Sequence, residues 1–216
     1  AYYSGYPIIS DEEYDALIAK SNLRRVGHTI TDGVPHAHKM YSLQKFFDLD
    51  DAPNYLEEGS NVVITPKLDG AAVYLLYVTG HFALGLTRGD GNIGRDITDK
   101  MSMLVPEEIT TYGEVFITGE VVCPSDVPNS RNVASGSLGL KSIAEFALRP
   151  LTFVAYDVQS SEIDYSHYQT AMRLLANLGF NVVTTFDASL YPIDGKVYRA
   201  DDQKVFNRLG HTAHHP

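Results

Sequence analysis

The chain has 216 residues, 44% of them apolar, with 17 basic and 27 acidic side chains and a formal net charge of −10. That is enough apolar material for one domain, or one domain plus a small appendage, and too acidic a balance for a surface that grips nucleic acid over its whole extent. No apolar run reaches the roughly 18 to 20 residues of a membrane helix, no signal-peptide h-region opens the chain, and Cys123, the single cysteine, has no partner for an internal disulfide, so a cytoplasmic location without membrane contact is expected.

The first elements are aromatic and helical. Fourteen tyrosines are many for this length, and Tyr2, Tyr3, Tyr6 and Tyr14 gather at the start, where rings with hydroxyls suit stacking on a flat ligand or capping of a small apolar surface. Residues 10 to 20 read as a capped helix, with Ser10 or Asp11 as N-cap, Glu12 and Glu13 in the first turn, and Tyr14, Leu17 and Ile18 on one face. Residues 21 to 41 read as loop.

From residue 61 the pattern changes to short β-like runs: NVVIT, AAVYLLYV, HFALGLT, EVFITGEVV and LTFVAYDV. Two helical patterns interrupt them, at 143 to 148 and at 167 to 180, the second closed by Gly179. The Val78-Thr79-Gly80-His81 step predicts a tight hairpin. Together these runs predict an α+β fold of antiparallel sheets with flanking helices.

Several segments carry chemistry. An apolar strand ends in Lys67-Leu68-Asp69-Gly70; then come TRGDGNIGRD at 87 to 96, TGEVV at 118 to 122, NSRNVASGSL at 129 to 138 and IDGKV at 193 to 197. Gly89 to Gly94 satisfies the GxGxxG spacing, but a dinucleotide fingerprint also needs an apolar helix after it, and residues 95 to 106 run to Pro106 without one. A glycine-permitted turn that presents Arg88 and backbone donors to a phosphate or sugar is the better reading.

In order along the chain, YYSGYPIISDEEYD at 2 to 15, HAHKMYSL at 36 to 43, KLDG at 67 to 70, TRGDG at 87 to 91, GE at 119 to 120, RN at 131 to 132, PLTFVAY at 150 to 156, DGKV at 194 to 197 and LGHTAHHP at 209 to 216 resemble the N-terminal part of the NAD-dependent DNA ligases. The resemblance implies a short helical element at 1–35 that binds nicotinamide mononucleotide (NMN). It also implies an adenylation domain at 36–216, a nucleotidyltransferase fold with ATP-grasp-like character. Lys67 would attack the AMP phosphorus of NAD, expel NMN and hold AMP as a phosphoramidate, for passage to the 5′-phosphate of nicked double-stranded DNA.

That step needs a neutral amine, favoured by burial and by neighbouring cations such as Arg88, Arg131 or Arg199, with Mg2+ helping to neutralise the phosphate. Asp69, two residues along from Lys67, would orient the amine or take its proton. The resemblance assigns Glu120 to the ribose, Tyr156 to stacking on adenine, Arg88 and Arg131 to phosphates, and Ser42 and Leu43 to the cofactor site. Tyr2, Tyr3, Asp11, Tyr14 and Asp15 would hold the NMN half, although Asp11 and Tyr14 also read as cap and packing residue of the helix. No residue is assigned as a metal ligand.

Thr65, Thr118, Gly139 and Arg199 replace residues usual in the family: a glutamate, two arginines and a lysine respectively. The family's Lys-bearing final motif and its DNA-encircling domains are expected on a second ligase polypeptide or on further C-terminal domains. Two other readings stay open: a nucleotidyltransferase that uses ATP or GTP, and a catalytically silent NAD-binding or assembly subunit.

Overall fold

The structure, a computed structural model, describes residues 33–46, 61–160, 163 and 165–209. The helix expected over 10 to 20, with Tyr2, Tyr3, Asp11, Tyr14 and Asp15, lies outside the described residues. All five expected β-runs form strands: β2 Val62–Leu68, β3 Ala71–Val78, β4 His81–Thr87, β6 Glu114–Val122 and β7 Thr152–Ser160. Short strands β1 Val34–Pro35, β5 Ile93–Gly94 and β8 Asn181–Val182 join them, with β9 Ile193–Ala200 near the end. The helices are α1 Thr98–Met101, α2 Ser130–Leu138, α3 Ile143–Ala147, α4 Tyr168–Asn177 and α5 Gln203–Leu209.

The main sheet has five strands in the order β4-β3-β6-β7-β8, antiparallel except where β8 runs parallel to β7. The β3–β4 hairpin turns through Thr79 and Gly80, both with positive φ (49° and 86°), the left-handed pair that a two-residue hairpin demands. Along β6, Val115, Ile117, Gly119 and Val121 are buried while Phe116, Thr118 and Glu120 are half-buried, so one face of the sheet is fully covered and the other partly open. The covered face packs against helices. Tyr168, Ala171, Met172 and Leu175 of α4 are buried at i, i+3, i+4 and i+7, the stripe an amphipathic helix offers a core. Ile97 just before α1, Met101 of α1, Leu138 of α2 and Phe146 of α3 complete that core.

A separate two-stranded sheet, β2 with β9, pairs Val63 with Arg199 and Thr65 with Val197. A register shift between Pro66 and Leu68 breaks its alternation next to Lys67. The chain then passes from β2 into β3, from the small sheet to the main one, through Asp69 and Gly70. A Cβ at Gly70 would lie 2.1 Å from the Val121 carbonyl oxygen, and at Gly119 2.4 Å from the Phe153 ring, so both positions require glycine for space.

Five elements go beyond the sequence reading, which expected none of them. Within the expected loop at 21 to 41, Val34 and Pro35 form β1, antiparallel to β5, which ties residues placed in the N-terminal element to the main body. The segment after the glycine-rich turn holds α1, four residues long, and no βαβ crossover helix. NSRNVASGSL forms α2, started by Asn129 at φ 55°. The strand β9 and helix α5 carry too few apolar residues in a clean period to announce themselves; β9 is recognised by its partner strand.

Gly70→Ala is expected to cost about 2–4 kcal/mol of stability, because the obstructing atom is backbone and cannot rotate away; a melting curve of the variant measures it.

Candidate active site

Lys67 stands near the end of β2, and its Nζ ion-pairs with the carboxylate of Asp194 on β9. The pair is partly open, with side-chain exposures of 29% and 48%, so its worth is functional placement more than stability. Burial tends to raise the Asp194 carboxyl, but the bond and charge of Lys67, with Lys45 and Arg131 beyond, outweigh it and hold the group below the ordinary carboxylate range. The carboxylate seated on the amine is thus Asp194, where the sequence reading placed Asp69. The reason is the register shift at Pro66/Leu68, which ends regular alternation before Asp69 is reached. Asp69 instead takes an ion pair from Arg131 Nε at 3.1 Å, and its backbone N–H donates to Pro192 O at 3.0 Å.

Across from Lys67, on the half-open face of the main sheet, Glu120 of β6 sits opposite Ala72 of β3. Burial pushes its carboxyl up to about 7, against the lowering pull of Arg88, Lys67 and a hydrogen bond from the Gly70 backbone, while Asp69 adds to the rise. Lys67, Asp69, Arg88 and Glu120 therefore share one electrostatic neighbourhood. Gly119, the residue before Glu120, leaves room for the Phe153 ring under the strand.

Tyr156 joins this group through a β-bulge. Thr118 pairs with Asp157 and Gly119 with Ala155, which leaves Tyr156 as the extra residue of β7, and a bulge of this kind re-aims a side chain. Its hydroxyl is held well above the usual phenol range, first by burial and then by the charge of Glu120, with Arg88 opposing.

Arg88 sits at the mouth of the turn that runs from β4 to β5. Gly89 (φ 57°) and Gly91 (φ 94°) give the turn its left-handed positions, and Asp90 Oδ1 accepts from the N–H groups of Asn92 and Ile93, both at 2.9 Å. The 36–43 segment laces along this turn: His36 N donates to Asn92 O at 2.8 Å and Met40 N to Gly91 O at 2.9 Å. Ser42 and Leu43 follow directly, Ser42 half-buried and Leu43 exposed. The His36 ring meets Tyr74 edge-on at 5.1 Å and brings Nε2 to 3.1 Å from the Arg88 carbonyl oxygen. Burial lowers the His36 pKa against the raising pull of the Arg88 and Thr87 backbone and of Asp90, and Nε2, facing a carbonyl oxygen, is the donor.

Of the two other arginines expected near the Lys67 amine, Arg131 acts through its charge on Asp194, the carboxylate paired with that amine, while Arg199 is engaged elsewhere. Arg131 reaches Asp69, and Arg199 Nη2 ion-pairs with Asp157 Oδ1 at 3.1 Å while its guanidinium lies between the rings of Tyr168 and Phe206. The sequence reading also assigned no role to Asp194, His36, Asp157 or Tyr168. Asp194 stands in the DGKV segment and His36 in HAHKMYSL, both of which were singled out; nothing local marks Asp157 or Tyr168. Among the described residues no group of three or more His, Cys, Asp or Glu side chains is placed to hold a metal ion, and no helix is long and apolar enough to cross a membrane.

Lys67, with Asp194 on its amine, thus lies in one electrostatic neighbourhood with Glu120 and Arg88. The profile of the NAD-dependent DNA ligase adenylation domain matches residues 29–190, most of the chain, and the chain belongs to that family. The DNA ligase of Campylobacter concisus (strain 13826) is 29% identical over 276 aligned positions, which cover all of this chain and 43% of the relative. That of Nautilia profundicola is 27% identical over 279 positions, again covering all of this chain and 42% of the relative. The chain thus spans less than half the length of the curated relatives it matches. Among solved structures, an archaeal ATP-dependent RNA ligase aligns over 88% of this chain and 51% of its own at 14% identity and a TM-score of 0.43. A Naegleria gruberi RNA ligase variant solved with ATP and Mn aligns over 85% and 62% at 12% identity and 0.42.

The raised Glu120 carboxyl ties stability to pH. Between about 4.5 and 7 the folded chain keeps a proton that the unfolded chain has shed, so stability from this group falls as pH rises through that window. Glu120→Gln removes the penalty: the variant is expected to gain about 1–3 kcal/mol on the parent at pH 8 and nothing at pH 4. Denaturant titrations at the two pH values check it.

Proposed function

We propose that this chain is the self-adenylating part of an NAD-dependent DNA ligase, and that Lys67 is the nucleophile. The observation that carries the reading is that Lys67, Asp194, Glu120, Arg88 and Tyr156, from two sheets, lie within electrostatic reach of one another. The residues present suit the AMP half of NAD. Glu120, in a half-open face, can accept from ribose hydroxyls; Tyr156, re-aimed by its bulge, offers a ring for adenine; Arg88, Arg131 and the turn at 89 to 94 offer cations and backbone donors for phosphate. Ser42 and Leu43, laced to that turn, border the same site.

In the reaction, Lys67 Nζ attacks the AMP phosphorus. An N–P bond forms, the pyrophosphate P–O bond breaks, and NMN departs with the bonding electrons. The charged amine gives one proton to Asp194 before it attacks, and it sheds the second as the N–P bond forms, to the departing NMN phosphate or to solvent. The Asp194 carboxyl is held low by Lys67's own positive charge, so its affinity for a proton rises as the amine loses that charge. Asp69, held by Arg131, fixes the turn that leads into β3. Mg2+, bound mainly through the phosphates, would neutralise charge on them. An N-terminal element at 1–35, through Tyr2, Tyr3, Asp11, Tyr14 and Asp15, receives the NMN half, and 36–216 holds the AMP half. Passage of AMP to a nicked double-stranded DNA end belongs to the same proposal, with further ligase domains or a second polypeptide supplying the grip on DNA.

Incubation with adenine-labelled NAD and magnesium is expected to add one AMP to the intact chain by mass, and Lys67→Ala to abolish it. Labelling from ATP but not from NAD would sink the reading. Removal of residues 1 to 35 is expected to slow labelling from NAD at least about tenfold, the scale of one lost set of well-placed contacts.

A further inference from the structure

The strongest unassigned feature lies behind the cleft, where Arg199 leaves the small sheet and enters an aromatic sandwich. Its guanidinium carbon is 4.3 Å from the ring centroid of Tyr168 and 4.0 Å from that of Phe206, and its Nη2 is 3.1 Å from Asp157 Oδ1. The side chain is only 14% exposed. Arg199 thereby ties β9 to α4, to α5 and to β7 at once. Its charge also acts on the hydroxyls of Tyr165 and Tyr168.

The contact does not end there. Tyr168 donates its hydroxyl to the backbone carbonyl oxygen of Tyr156 at 2.8 Å, and Tyr156 is the bulge residue of β7. A bulge residue lacks a ladder partner, so its carbonyl needs an anchor from elsewhere. Tyr168 is that anchor. Asp157, the next residue, is the carboxylate that Arg199 grips. The N-terminus of α4, which carries Tyr168, is in turn pinned to the end of β9: Tyr168 N donates to Asp201 O at 2.7 Å and Gln169 N to Asp201 Oδ1 at 2.9 Å.

We infer that Arg199 is a positioning residue that, through Asp157 and Tyr168, sets the bulge presenting Tyr156 to the nucleotide and locks the Lys67-bearing sheet over the Glu120-bearing one. The inference rests on the proposed nucleotide role of Tyr156, and it departs from the phosphate-side role expected of Arg199 from sequence. A planar, forked cation is what the place demands: it stacks on two rings while an edge faces a carboxylate. A lysine there would keep the charge and lose the plane that stacks on both rings.

Four variants test it: Arg199→Lys, Asp157→Asn, Tyr168→Phe, and Arg199→Lys combined with Tyr168→Phe. Tyr168→Phe keeps the ring under Arg199 and removes only the bond to Tyr156, so it folds if the parent folds. Hydrogen exchange of the 152–160 segment is expected to quicken in all three single variants, by about tenfold in Arg199→Lys, the scale of a lost stacked and forked contact. In single-turnover adenylation, each is expected to raise the NAD concentration for half-maximal rate by about 5- to 20-fold while the saturating rate changes less than about threefold. The double variant is expected to do little more than the worse single one, since both act on one bulge.

The opposite pattern overturns the inference: Arg199→Lys with half-maximal NAD concentration and saturating rate near parent level, and Asp157→Asn and Tyr168→Phe silent, which is the signature of a cation on the phosphates. Unchanged exchange in 152–160 across the three single variants overturns it as well. If the parent chain takes no AMP from NAD, the adenylation reading fails on its own, while the exchange measurement still decides whether Arg199 sets the bulge.

Discussion

Everything in the cleft depends on the step from Asp69 to Gly70, where the chain leaves one sheet and enters another. A strand that carries Lys67 in the two-stranded sheet becomes, two residues later, the central partner of β6 in the five-stranded one. Gly70 must then run so close to Val121 that no side chain fits, and its backbone N–H is directed at Glu120. The step through Gly70 thus brings Lys67 of one sheet close to Glu120 of the other. Had the crossing been longer, Lys67 and Glu120 would have been joined only by loop, with the loss of placement that loops bring.

Electrostatics in the cleft follow from that crowding. A carboxyl on a half-covered sheet face would ordinarily be costly, and Glu120 shows it in a proton held up to about pH 7. What keeps the cost moderate is the company of Arg88 and Lys67. The acidic and basic groups of the site are interleaved: Asp194 on Lys67, Arg131 on Asp69, Arg199 on Asp157. Lys67 and Arg131 each already hold a protein anion, Asp194 and Asp69, while Arg88 and Lys67 both act on Glu120 through their charge.

The two sheets are held in register by different means at the two ends of the cleft. At the front it is covalent, through Asp69 and Gly70. At the back it is the Arg199 sandwich, whose contacts with Tyr168 and Asp157 run to either side of the Tyr156 carbonyl. An irregularity in each sheet lies where chemistry is expected: the shift at Pro66/Leu68 next to Lys67 and the bulge at Tyr156. Regular pleating would have sent one or both side chains to the wrong face.

The sequence by itself determined the strands, the α+β class and the family. Period-two apolar runs and turn residues are local signals, so β2, β3, β4, β6 and β7 were legible, as were α3 and α4, and ordered short motifs around Lys67 carried the resemblance. Glycines at 70, 89, 91 and 119 were legible as punctuation, though not their reasons. Which carboxylate meets Lys67, which arginine faces the cleft, and how Tyr156 is aimed were decided only in the tertiary structure. Those outcomes turn on a one-residue register shift, on a bulge and on contacts between β9 and β7 some forty residues apart in sequence, and no local pattern of apolar and polar residues encodes where an alternation will slip.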